Sequence, residues 1–369
     1  MPTRKLVTRY EQDLQLFPDI WQKIGLVAFS LLLILFPFLV SEQWLGVGLD
    51  AMIMVVGAIA MMILTGFAGQ VSLGHAAFLA VGGYTACILG SSYGVPFWLA
   101  IPVAGFLAAL VGLSIGPFAL RLEGLYLAIV TVGLLFFVQH AITNGVEVVY
   151  EKSAFNASMH TWFVGEGPER EGLGSFRDDV SFLGLEFTFK RKLFFVFALI
   201  ATLSVWMCRN IANSRTGRAM MAVRDRDTTA AVLGVNPAQT KFIAFGISSF
   251  LAGVAGAMYA YKSSLLYLSV ETGEPFSLAM SVSFLAMVVL GGVGTVFGAV
   301  FGALAYTGLF PLAEHIGAML PFPGSFSSEH QAALIFFPLL CVFLIFEPMG
   351  LFGIWLRIKR YFMAWPFRY

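Results

Sequence analysis

The chain reads as a succession of long apolar runs separated by short polar or glycine-rich stretches. Crossing a hydrocarbon core takes about 20 apolar residues. Runs close to that length fall near 24–40, 50–66, 71–91, 97–119, 124–142, 191–208, 241–261, 277–290, 295–313 and 331–347. They predict an all-α polytopic membrane protein with about ten transmembrane helices. The eighth run is short, and the pair after it also reads as one span with a re-entrant piece. Between Gly25 and Thr143 the charged residues are Glu42, Asp50, Arg121 and Glu123, with His75 and His140 beside them. Stretches so poor in charge need lipid around them, because charged side chains normally cover a water-facing surface.

Composition agrees. Of 369 residues, 59% are hydrophobic and 12% charged, where an average soluble domain carries about 25% charged residues. Lys and Arg then set the orientation, since cytoplasmic segments hold the excess. Of the 22, four lie in 1–23, one is Arg121, six lie in 209–241 and four follow Glu347. These share one side if both termini are cytoplasmic, which makes 143–190 periplasmic. Lys190, Arg191 and Lys192 run against this trend. The chain thus divides into a cytoplasmic N-terminal segment (1–23), a transmembrane domain (24–347) with a cytoplasmic loop at 209–241, and a cytoplasmic basic-aromatic tail (348–369). Its start lacks the small-residue cleavage site of a secretory signal, so the first helix is expected to stay. Equal numbers of spans in each direction allow an inverted repeat. A glycine spacing does recur, at Gly66, Gly69, Gly74 and Phe78 and again at Gly291, Gly294, Gly298 and Phe301, though not in the inverted frame. Cys87, Cys208 and Cys341 lie far apart in apolar segments and read as packing residues.

Three segments bear on function. In LTGFAGQVSLGHAAFLAVGGY, Leu64 to Tyr84, the glycines Gly66, Gly69 and Gly74 interrupt an apolar run, and Gln70, Ser72 and His75 sit inside the break. Irregular backbone at membrane depth is tolerated only against protein or a water-filled path. Ser72 is placed to cap the following helix, whose N-terminus would suit a carboxylate. A tight packing corner, with Gln70 and His75 satisfying backbone groups, fits the same residues. In the polar loop Asn213 to Lys241, the spacing of Ala219, Met220, Ala222, Val223, Ala230, Ala231 and Leu233 predicts a short amphipathic helix. Gly234 and Pro237 stop it. Such a helix docks into a partner's groove, or its Arg218, Arg224 and Arg226 beside Asp225 and Asp227 form a solvated face on anionic lipid. In GGVGTVFGAVFGALAY, Gly294, Gly298 and Gly302 make a stripe for close helix packing.

Together these segments bring a family into view. LTGFAGQVSLGHAAFLAVGGYTA resembles the leading signature of the branched-chain amino-acid ABC permeases of the LivM-like group. SRTGRAMMAVRDRDTTAAVLGVN is similar to that group's cytoplasmic coupling loop, and VVLGGVGTVFGAVFGA and FEPMGLFGIW to its last third. The resemblance covers about residues 50–355 in order. It implies an inner-membrane permease subunit of an importer, with a second permease chain, two ATPase subunits holding ATP and Mg, and a periplasmic binding protein. Branched-chain amino acids lead as substrate, with urea, amides or aromatic carboxylates as alternatives. Gly217, Arg218, Ala222, Arg224, Asp225, Ala231 and Gly234 match the coupling loop. Gly69, Gln70, Ser72, Gly74 and His75 match the break beside the translocation path. The stretch 143–165 departs from the group's pattern, which bears on substrate.

The residues themselves point away from other chemistry. No GxxxxGK[ST] phosphate loop occurs, nor any Gly-Lys pair. No metal-ligand spacing or nucleophile motif appears, so neither catalysis, a cofactor in this chain nor nucleic-acid binding is expected. The competing class is a stand-alone secondary transporter, which also uses discontinuous helices. Coupling by ions or protons usually needs ionisable residues deep in the membrane. His75 and His140 are the deep candidates, since Glu314, His315 and Glu347 fall near helix ends.

Overall fold

A computed structural model describes residues 31–119, 122, 124–146, 154–156, 180–182, 185–263, 265–267, 276–319 and 328–364. Residues 31–39 are helical. Helix α1 (Glu42–Met61) runs into a π-helical turn (Met62–Phe67), and after a break come α2 (His75–Tyr93), α3 (Phe97–Ala119) and α4 (Leu125–His140). Next are α5 (Phe189–Asn213), the short α6 (Arg215–Asp225) and α7 (Asp227–Val232), and the long α8 (Pro237–Ser263). The last third comprises α9 (Leu278–Gly291), α10 (Val296–Met319), α11 (Ser328–Phe346) and α12 (Gly350–Ala364). Two antiparallel strand pairs amend the wholly helical expectation: β1 (Ala154–Asn156) with β4 (Leu265–Tyr267), and β2 (Val180–Phe182) with β3 (Leu185–Phe187). Each strand is three residues long, and pairing satisfies backbone groups that lie outside any helix.

Among the described residues five stretches are long and apolar enough to cross a membrane: Glu42–Phe67, Phe97–Gly116, Tyr126–Asn144, Phe189–Asn213 and Pro237–Ser263. Two bent pairs raise the count to as many as seven, α9 with α10 at 119° and α11 with α12 at 44°. The sharper bend falls between the eighth and ninth runs, one run earlier than the re-entrant piece expected in the pair after the eighth. The apolar part of α2 is shorter, His75–Gly90, and the start of the first expected span, 24–30, lies outside the described residues. Phe106, Leu110, Ile129, Phe137, Leu199 and Leu203 are all exposed on the outer faces of α3, α4 and α5. A surface that apolar is far beyond what a soluble monomer shows to water. This is a multi-pass membrane protein.

Helix α8 is the hub, packed on α1, α2 and α3. Small residues permit the approach. A Cβ added at Gly256 would fall on the Leu79 carbonyl of α2, and one at Gly82 on the Gly253 backbone. Ser248 Oγ donates to the Ala60 carbonyl of α1 at 2.7 Å. The glycine stripe of the last third closes the α9–α10 hairpin: Gly298 and Gly302 lie against Gly291 and Met287. Gly294 is not in that helical stripe but in the intervening turn, with φ 85°. Cys87 and Cys208 are buried, whereas Cys341 is exposed on α11, contrary to its reading as a packing residue. A thiol behaves as a small hydrophobe, which lipid accommodates as a core does.

The helices place their connections at two ends. One end carries both strand pairs, with the ion pairs Lys190–Glu42 at 3.1 Å and Lys262–Asp50. The Arg191 guanidinium lies 5.6 Å from the Phe38 ring centroid, so the basic cluster at 190–192 is partly compensated locally. At the opposite end the helix break meets Leu122, Gly124, α6, α7 and the 292–295 turn.

Candidate functional site

The break begins where α1 widens. In the π-helical turn the backbone N–H of Ala68 donates to Ile63 at 3.2 Å and that of Gln70 to Leu64 at 3.0 Å. Thr65 Oγ1 donates to the Gln70 carbonyl at 3.1 Å. A π turn leaves carbonyls out of the regular ladder, and such turns recur at functional sites. Gly69 then reverses the chain with φ 69°, a conformation that costs an L side chain about 1–2 kcal/mol.

The cap expected from Ser72 comes from elsewhere. The N-cap of α2 is Gly74, with no capping side chain of its own. Instead Ser281 Oγ of α9 accepts from the Ala76 N–H at 2.9 Å, and Thr131 Oγ1 of α4 accepts from the Leu73 N–H at 3.0 Å. The start of α2 is thus bolted to two other helices. Gly74 is pressed on the Thr131 carbonyl, where any Cβ would collide. His75 is fully buried, edge-on to Phe284 at 5.5 Å, with Nε2 3.2 Å from the Gly57 carbonyl of α1. Ser72, Gly74 and His75 are thus all enclosed at this corner. Gln70 Oε1, Ser72 Oγ and His75 Nδ1 are buried and make no hydrogen bond. Replacing Ser281 by alanine leaves the Ala76 N–H unsatisfied and is expected to cost about 1–3 kcal/mol. Thermal melting of the purified protein in detergent reads this as a lowered midpoint at unchanged helix content.

The loop between α5 and α8 forms two helices rather than one. Ser214 caps α6, its Oγ accepting from the Gly217 N–H at 3.1 Å. Arg226 is extended, with φ −160° and ψ 106°, and separates α6 from α7. Asp227 opens α7, where its charge suits the helix N-terminus, and its carboxylate pairs with the buried Lys241 of α8. Met220 and Val223 face inward, as does Ala230. Gly217 is buried against the Ile211 carbonyl, and Arg218 donates to the Asn213 carbonyl at 2.7 Å. Both hold the α5–α6 corner. Ala222 is half-buried, while Ala231 and Gly234 are exposed. Between the last two, Val232 and Leu233 are 86% and 78% exposed.

Break and loop come together at Arg224. Its Nη1 donates to the Gly66 carbonyl at 2.7 Å, and its Nε and Nη2 donate to Asp225 Oδ1 at 3.1 and 3.0 Å. One nitrogen of the guanidinium thus reaches back to the helix break, while Arg224 itself stays exposed beside Asp225. Gly69 and Gln70 join Arg224, Asp225, Arg226 and Lys241 around a cavity of about 310 Å³. Sequence reasoning picked out both segments but not their meeting, and it missed Thr131, Ser281 and Lys241. Among the described residues no group of three His, Cys, Asp or Glu side chains is placed to hold a metal.

Comparison with known proteins places this architecture. The family described as branched-chain amino acid transport system / permease component matches residues 44–344. The LivM permease protein of the high-affinity branched-chain amino acid transport system of Escherichia coli K12 is 31% identical over 287 residues, 77% of this chain. The Salmonella typhimurium LivM protein is 30% identical over the same length. The chain spans 66% of the length of these two relatives. The LivH permease protein of Escherichia coli K12 is 24% identical over 335 residues, 86% of this chain and 96% of that protein. No solved structure matches the chain significantly. With its broken first helix, α8 hub and helical loop all inside the matched region, the chain belongs to the family of branched-chain amino acid transport system permease components.

Proposed function

We propose that this chain is a transmembrane permease subunit of an ATP-binding-cassette importer, passing amino acids of the branched-chain type into the cytoplasm. It sits in a bacterial inner membrane with about ten spans, a number that allows an inverted repeat, and with both termini cytoplasmic. A periplasmic binding protein delivers the solute to the end bearing the strand pairs and the 143–190 segment. Two ATPase subunits, which hold ATP and Mg, dock on the 209–241 loop. The likeness to both LivM and LivH permease proteins supports a hetero-dimeric permease. Gly69, Gln70, Ser72, Gly74 and His75 form the break that stands beside the translocation path.

The observation that carries this reading is the tip of α7. Ala231, Val232, Leu233 and Gly234 project from a loop whose other side is anchored through Met220, Val223, Ala230 and Lys241. An exposed Val-Leu pair at the end of a short, firmly held helix suits the groove of a partner protein. The alternation of helices between the two ends, starting from 31–39, supports the span count. Purification of the tagged chain from native membranes in mild detergent is expected to bring down two ATPase subunits and a second permease chain. Recovery of the chain by itself, or stoichiometric ATP binding by the isolated chain, overturns the proposal.

A further inference from the structure

We propose that Arg224 is the positioning residue that transmits movement of the α6–α7 loop to the membrane helices, by gripping two glycine turns at once. This rests on the importer reading above and goes beyond it, because Arg224 is assigned to transmission and not to docking.

The grip has three sides. Gly66, at the end of the widened α1, accepts from Arg224 Nη1. Gly69 lies against the stem: a Cβ there would sit 2.7 Å from Arg224 Cγ and 3.2 Å from its Cα. Gly294, in the turn between α9 and α10, lies against the head: a Cβ there would sit 2.9 Å from Nη1. The two turns also touch each other. The Gly294 N–H donates to Met62 Sδ at 3.2 Å, and a Cβ at Gly66 would sit 3.0 Å from the Gly294 nitrogen.

Gly69 and Gly294 occupy equivalent places in the recurring glycine spacing, three residues after Gly66 and Gly291. Both have positive φ, 69° and 85°. The repeated spacing therefore marks two similar turns closed on one arginine. Asp225 fixes the fork by accepting from Nε and Nη2, which leaves Nη1 aimed at Gly66. An arginine is suited to this task, because its rigid planar donors bind two acceptors in a set geometry that a lysine cannot copy.

The break has reason to hold a second arrangement. Gln70, Ser72 and His75 each bury a polar atom that finds no partner here, and such atoms are costly where they stay unpaired. Displacement of α6 by a partner pulls on Gly66 through that bond, and Gly294 follows through its packing on Nη1 and its bond to Met62, so the ends of α1, α9 and α10 are drawn on together. Coupling of distant sites requires such a connected element with two discrete arrangements.

The test uses the assembled importer in proteoliposomes with radiolabelled leucine as the probe, at matched abundance of the chain. Arg224→Ala and Arg224→Gln are expected to keep the ATPase subunits while carrying roughly tenfold less leucine per ATP hydrolysed, the scale of a lost charge-assisted hydrogen bond. Arg224→Lys is expected to recover part of the loss, since an ammonium reaches the Gly66 carbonyl without the Asp225 fork. Gly294→Ala, which crowds only Nη1 and strains the turn, is expected to lower the same ratio. In the Arg224→Ala background it should add little, because neighbours that act through one contact are not additive. Wild-type leucine carried per ATP in Arg224→Ala overturns the inference. Loss of the ATPase subunits from Arg224→Ala also overturns it, making Arg224 a docking contact while the importer reading stands. A wild-type chain that neither retains an ATPase nor carries leucine defeats the importer reading instead.

Discussion

Tryptophan at Ala231, or aspartate at Leu233, is expected to strip the ATPase subunits from the importer and abolish uptake while leaving the chain folded in the membrane. Both residues are exposed, at the end of a helix held from its other side, so neither change disturbs the bundle. Small and apolar residues at the centre of a contact tolerate neither bulk nor charge, and removing a central anchor typically costs 2 kcal/mol or more. That corresponds to roughly thirtyfold weaker association. Gly217→Trp makes the necessary contrast. Gly217 lies in the same loop, yet it is buried on the Ile211 carbonyl. Tryptophan there breaks the α5–α6 corner and lowers the amount of folded protein, so its loss of uptake says nothing about docking. The measurements are ATPase co-purification and leucine uptake at matched membrane abundance. Normal values for both Ala231→Trp and Leu233→Asp would return the loop to a lipid-facing role, since tryptophan is at home at a membrane interface.

How far the sequence foretells this structure depends on the range of the interaction. Apolar runs and glycine breaks are local, so the spans and the interruption at 66–74 stand out directly. The bend at 292–295 is not announced in the same way: Gly294 reads as part of a packing stripe, yet its backbone lies in the turn, with φ 85°. What secures the break is not local. Thr131 and Ser281 cap residues 58 and 205 positions away, and a threonine or serine inside an apolar helix carries no mark of its distant partner. Ser72, the local candidate, is the residue left without a bond.

Arg224 shows the same limit in charged residues. The run Arg224, Asp225, Arg226, Asp227 has the composition of a solvated face, and its neighbours invite that reading. Its bond to Gly66 depends on a carbonyl left unpaired where the widened helix ends, which is a property of the backbone and has no residue signature. The apolar residues of the loop read as one amphipathic helix, yet Arg226 is extended and divides them. Ala230 consequently faces the bundle while Val232 and Leu233 face away. Periodicity fixes which residues share a face only as long as the helix continues.

The largest loss of folded protein is expected from Gly256→Val. Helix α8 is the element on which α1, α2 and α3 all pack, and at Gly256 it approaches the Leu79 carbonyl so closely that a single Cβ has no room. The obstacle is backbone on both sides, so no side chain can rotate away. The two helices must separate, which exposes the Gly82–Gly253 contact three residues along and loosens the start of α2. Overpacking a tight core costs about 1–3 kcal/mol and occasionally more, and close backbone approach is what holds helices together where lipid supplies no hydrophobic drive. Gly256→Val is therefore expected to sit at or above the top of that range and to reduce folded protein in the membrane severely. Gly133→Val on α4 is the control: it adds the same side chain at an exposed position with nothing within 4 Å, and is expected to leave folded abundance unchanged. Fluorescence-detected size-exclusion chromatography of both variants checks this, and equal monodisperse peaks would show that α2 and α8 are not the tightly packed pair described.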